Sequence, residues 1–84
     1  MSMVTVRVRL FAWLRDAAGI EECVLQLPSG ACGLDAKTAL ADQYSQLYAL
    51  IDYVQLAVNC EYQPWEMSLS DGDEVSFIPP VSGG

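Results

Sequence analysis

One stretch of the chain, from Asp35 to about Leu47, repeats its apolar residues at spacings of three and four: Ala36, Leu40, Tyr44 and Leu47. Lys37, Asp42 and Gln46 fall between them, so the segment predicts a helix with a single apolar stripe. No Gly or Pro marks its end, and the pattern allows it to continue to Ile51. Around it the period is two. Val4, Val6, Val8 and Leu10 alternate with Thr5, Arg7 and Arg9, which predicts a strand with one buried and one wet face. Cys23, Leu25 and Leu27 alternate with Glu22, Val24 and Gln26 in a second strand, closed by the turn cluster Pro28-Ser29-Gly30. One long helix among strands narrows the choice of fold. It implies an α+β roll, a mixed sheet of about five strands with the main helix packed across one face. A doubly wound fold would need more helices and more length.

The remaining elements are short. "FAWLRDAAG" supplies helix formers and a stop at Gly19, so a short helix is expected after the first strand. "VQLAVNCEYQPW" reads as a strand, a tight turn at Asn59-Cys60 and a partner strand. Ser70-Asp71-Gly72-Asp73 is a turn in which Gly takes the positive φ and Asp bonds the backbone. Glu74 to Ile78 forms the last strand, which Pro79 and Pro80 end. The first two strands are expected to pair. Residues 1–78 read as one domain and 79–84 as an extended tail.

At 84 residues the chain buries only a little over about 60% of its unfolded surface, in a single core. Eleven acidic residues against four basic ones give a net charge of −7, with no histidine. That balance argues against nucleic acid and anionic membranes as partners, since both select clustered Lys and Arg. No apolar run approaches the roughly 18 residues of a membrane span. Cys23, Cys32 and Cys60 are an odd set without Cys-x-x-Cys spacing, which predicts reduced thiols and a cytoplasmic location.

Catalytic constellations are missing. Without histidine there is no Ser-His-Asp or Cys-His pair, no phosphate-binding glycine loop occurs, and the cysteines lack zinc-ligand spacing. Glu21-Glu22 and Asp71/Asp73/Glu74 read as solvated turn and edge residues rather than paired acids or a metal site. Trp13 and Trp65 read as core or interface anchors. No cofactor or metal is expected on this chain.

What is left is the terminus "FIPPVSGG". A backbone carboxylate can be activated by ATP as an acyl-adenylate and then accept sulfur or an amine. Gly83 and Gly84 suit a narrow channel because they carry no Cβ, and Pro79 and Pro80 limit the conformations that insertion must freeze. Ile78 shares a strand face with Glu74 and Ser76 and makes that face apolar where the tail leaves the body.

"LFAWLRDAAG", "LAVNCEY" and "LSDGDEVSFIPPVSGG" together resemble the small subunits of molybdopterin synthase, sulfur carriers of the ubiquitin-like β-grasp fold. The resemblance spans nearly the whole chain, and the terminal motif is its most specific part. It implies that Gly84 is adenylated by a ubiquitin-activating-like enzyme using ATP and becomes a thiocarboxylate. The tail would then enter the large synthase subunit and donate sulfur to a cyclic pyranopterin precursor, in a heterotetramer with one carrier at each end of a large-subunit dimer. On that analogy Gly84 carries the chemistry and Gly83 gives access. Val81 and Ser82 line the inserted tail, and Phe77 and Ile78 lie close to the subunit contact. Catalytic acids and bases belong to the partner. The alternatives are a thiamine-pathway sulfur carrier, a ubiquitin-like modifier joined to lysines through Gly84, and an inert interaction module.

Three positions depart from the family pattern. Asn59-Cys60 replaces a frequent Asn-Gly, and a left-handed Cys costs roughly 1–2 kcal/mol, so a different turn is expected. Cys32-Gly33 stands where Thr and an apolar residue are usual. Asp35 is then the better candidate for the helix N-cap. Lys37 replaces a Leu.

Overall fold

The computed structural model describes residues 2–80. Five strands and two helices follow one another: β1 (Met3–Leu10), α1 (Ala12–Ala18), β2 (Glu22–Pro28), α2 (Gly33–Gln43), β3 (Gln55–Val58), β4 (Glu61–Tyr62) and β5 (Glu74–Ile78). They form one mixed sheet in the order β2-β1-β5-β3-β4. β1 runs parallel to β5 and antiparallel to β2, while β3 is antiparallel to both β5 and β4. This is the β-grasp roll, with α2 across one face of the sheet. Among the described residues no helix is long and apolar enough to cross a membrane.

The period-two readings hold. Val4, Val6, Val8 and Leu10 point into the core from β1, Leu25 and Leu27 from β2, Leu56 and Val58 from β3, and Val75 and Phe77 from β5. They meet Leu14 and Ala18 of α1 and Ala36, Leu40 and Ala41 of α2, and among the described residues no charged or polar residue is buried with them. Arg7 and Arg9 keep to the wet face, beside Glu22 and Glu74. Gly19, at φ 77, closes α1 by donating its N–H to the Arg15 carbonyl.

The main helix differs from its expectation at both ends. It starts two residues earlier than Asp35, with Cys32 in extended conformation as the N-cap. Asp35 sits at the third helical position, and its carboxylate accepts the Cys32 N–H at 2.9 Å. The orphan amides of the first turn are satisfied from outside the helix: Gly33 N–H donates to the Met67 carbonyl and Leu34 N–H to that of Trp65. Tertiary partners thus satisfy the first two amides of the helix, beside the capping box that Cys32 and Asp35 form. At the other end α2 stops at Gln43. Two 3-10 turns, Ser45–Leu47 and Ile51–Tyr53, carry the chain to β3. They still bury Leu47 and Ile51, which is why the apolar spacing looked helical past the true end.

The hairpin is also corrected. Asn59 and Cys60 both take positive φ, 51° and 72°, so β3 and β4 are joined by the left-handed two-residue turn after all. Asn59 fixes it. Its N–H donates to the Glu74 carbonyl at 2.8 Å, its Oδ1 accepts the Glu74 N–H at 3.0 Å, and its Nδ2 donates to Asp73 Oδ1 at 3.0 Å. These three bonds offset the strain at Cys60.

Candidate functional site

β5 lies in the middle of the sheet, and its last residues form the root of the tail. On one side Leu10 pairs with Phe77 as the last β1 partner. On the other, Gln55 pairs with Ile78, one residue further. The strand therefore outruns β1 and leaves the sheet beside β3. Neither Pro79 nor Pro80 can donate to a ladder, so pairing ends there by chemistry. Pro79 is buried and Pro80 exposed, so the body releases the chain between the two prolines. Val81, Ser82, Gly83 and Gly84 lie outside the described residues.

The residues expected to meet a partner divide by strand face. Ile78 is half-buried on the outer face with Ser76 and Glu74, as the alternation implied. Phe77 has no exposed surface and packs against Trp65 with ring centroids 5.6 Å apart, so it anchors the tail root in the core.

Beside the root is an open recess of about 280 Å³ lined by Gln55, Leu56, Tyr62, Gln63, Pro64 and Trp65. Sequence reasoning marked only Trp65 among these. The recess depends on the register that places Gln55 opposite Ile78, and no local motif reports a register. Lys37 reaches this region from α2. Its Nζ lies 5.1 Å from the Trp65 ring centroid and 3.1 Å from Asp52 Oδ1. The long stem covers apolar surface, which explains how lysine stands in for leucine here.

The acidic turn is structural, as its sequence suggested. Asp71 Oδ1 accepts the Thr5 N–H at 2.7 Å, Asp73 Oδ2 accepts the Ser70 N–H at 2.7 Å, and Gly72 N–H donates to the Thr5 carbonyl at 2.8 Å. Glu22 pairs with Arg7 at 2.7 Å and Glu74 with Arg9 at 3.1 Å. The Glu22 hydrogen bond, with its charge, raises the Arg7 pKa. Among the described residues no group of Cys, Asp and Glu is placed to hold a metal. All three cysteines are free, and burial, with the Glu22 charge second, pushes the Cys23 thiol up and away from thiolate reactivity.

A family model described as the ThiS family matches residues 8–84. The molybdopterin synthase sulfur carrier subunit of Mycobacterium tuberculosis is 40% identical over 86 residues, covering 98% of this chain and 100% of that one. Among solved structures, SAMP1 (small archaeal modifier protein 1) of Haloferax volcanii superposes with a TM-score of 0.88 at 27% identity, covering 95% of this chain and 99% of that chain. A complex of subunits 1 and 2 of the molybdopterin-converting factor from Helicobacter pylori gives a TM-score of 0.66 at 26% identity, covering 96% of this chain and 100% of that chain.

Proposed function

The chain belongs to the ThiS family, and from that premise we propose that it is a sulfur carrier of molybdenum cofactor biosynthesis, the small subunit of a molybdopterin synthase. One observation carries the reading: the similarity to the molybdopterin synthase sulfur carrier subunit of Mycobacterium tuberculosis covers 98% of this chain at 40% identity, and the family match runs through Gly83-Gly84. Gly84 is adenylated by a ubiquitin-activating-like enzyme, using ATP, and is then converted to a thiocarboxylate. Residues beyond Pro79 enter the large subunit, where the sulfur passes to a pyranopterin precursor. The anchored root supports this. Fixing the chain at Phe77 and Pro79 leaves five residues, 80–84, to span from body to reaction centre, a reach of at most about 18 Å. A short span reduces the conformational entropy lost on insertion.

The test is the intact mass of the protein after incubation with ATP, an activating enzyme of this type and a sulfur source. Exchange of one oxygen for one sulfur, mapped to Gly84, is the expected result. A modifier role is the second reading, favoured by the similarity to SAMP1. It is distinguished by conjugates of higher mass that survive thiol reductants.

A further inference from the structure

The 84 residues contain one lysine, Lys37; the other three cations are arginines, whose guanidinium groups stay protonated and do not attack acyl groups. We propose that Lys37 is withheld as an acyl acceptor, so that the activated terminus does not acylate the one side-chain amine of its own carrier. The proposal rests on the functional reading above, because it matters only for a chain whose terminus is activated.

The hazard is specific. An acyl-adenylate at Gly84 is attacked by any free amine: the nitrogen bonds to the terminal carbonyl carbon, and that carbon's bond to the phosphate oxygen breaks. AMP leaves with the electron pair, and the amine's proton goes to solvent. The product is an amide, and the carrier is dead for sulfur transfer. An amine on the same chain is the most dangerous, since tethering raises its effective concentration. Lys37 stands near the root of the tail. Its ammonium lies against Trp65, which packs on Phe77, two residues before Pro79.

Three features hold the amine back. The side chain is 21% exposed, the ammonium is bonded to Asp52 Oδ1 at 3.1 Å, and it faces the Trp65 ring at 5.1 Å. To attack, the nitrogen must shed a proton, leave the carboxylate and the ring, and turn its lone pair outward. Each contact it gives up adds to the barrier. An exposed ion pair and a cation–π contact are individually small, so together they slow acylation by roughly fivefold to tenfold. No other side chain carries a primary amine.

Two measurements on the full chain test this. In the first, a small N-hydroxysuccinimide acetate reacts with the native protein and acetylation of Lys37 is followed by mass. Lys37 is expected to react at least about fivefold more slowly than N-acetyl-lysine amide, and Asp52→Asn to recover several-fold in rate. A native rate equal to the model compound overturns the proposal. In the second, an activating enzyme and ATP are supplied without sulfur. Wild type should form no amide at Lys37, while Gln46→Lys, at an exposed position, should form self-acylated protein. An amide at Lys37 in wild type, or none in Gln46→Lys, overturns it. If this chain does not stimulate pyrophosphate release, the functional reading fails, and the ester reaction still decides whether Lys37 is withheld.

Discussion

A Cβ placed on Gly33 would stand 2.5 Å from Leu56 Cδ2, 3.0 Å from the Trp65 carbonyl oxygen and 3.3 Å from Trp65 Cε3. Leu56 can shift, but the Trp65 carbonyl cannot, because it accepts the Leu34 N–H that starts α2. Gly33→Ala therefore gains helix propensity and loses more through the clash. We expect a net loss of about 1–3 kcal/mol, read as a lower urea midpoint with an unchanged slope. Cys60 gives the opposite sign. At φ 72 its side chain is strained and its residue is exposed, so nothing in the core depends on it. Cys60→Gly should raise stability by about 0.5–1 kcal/mol in the same measurement. The sequence named the strain at Cys60 but not the geometry. The Asn59 bonds that hold the turn reach residues 73 and 74, beyond any local pattern.

The strands were legible because a half-buried strand writes its two faces into alternate residues, as Val4 to Leu10 and Glu74 to Ile78 do. The ends of α2 were not. Its start is set by carbonyls of Trp65 and Met67, and its stop by 3-10 turns that keep Leu47 and Ile51 on the apolar side. A side-chain bond reinforces that stop. The Tyr48 hydroxyl donates to Asp42, tying the turn back to the end of the helix. That bond, then the Asp42 charge, then burial, raises the Tyr48 pKa from the usual 10. The folded state thus holds this proton more tightly than the unfolded chain. The bond's contribution is present below pH 10 and is lost as pH rises through the folded value. In Asp42→Asn, alkaline titration of tyrosinate absorbance should lose its latest transition. An unchanged titration curve would show that the Asp42 contact does not persist in solution.

Across the whole molecule, each of the four cations has an acidic neighbour: Arg7 with Glu22, Arg9 with Glu74, Arg15 with Asp16 and Lys37 with Asp52. The surplus of acids over bases, eleven less four, is seven negative charges left to the surface. A partner that receives the tail meets a body whose own positive groups are already engaged, so docking favours a basic rim and weakens as salt rises. The body and the tail carry separate duties on this reading. The core, through Phe77 and Pro79, sets where the chain departs, and the number of residues after Pro79 sets how far the carboxylate reaches. One alanine added after Gly84 moves the carboxylate by about 3.3 Å and replaces the terminal glycine with a residue that carries a Cβ. The extended chain should keep the wild-type melting temperature, because no core contact involves the added residue. It should also bind the large subunit with little change, while adenylation and sulfur loading fall below detection. Full loading of the extended chain would mean that the activating site does not measure the tail from its root. A lower melting temperature would mean that the terminus packs on the body, and the division between scaffold and reach would have to be withdrawn.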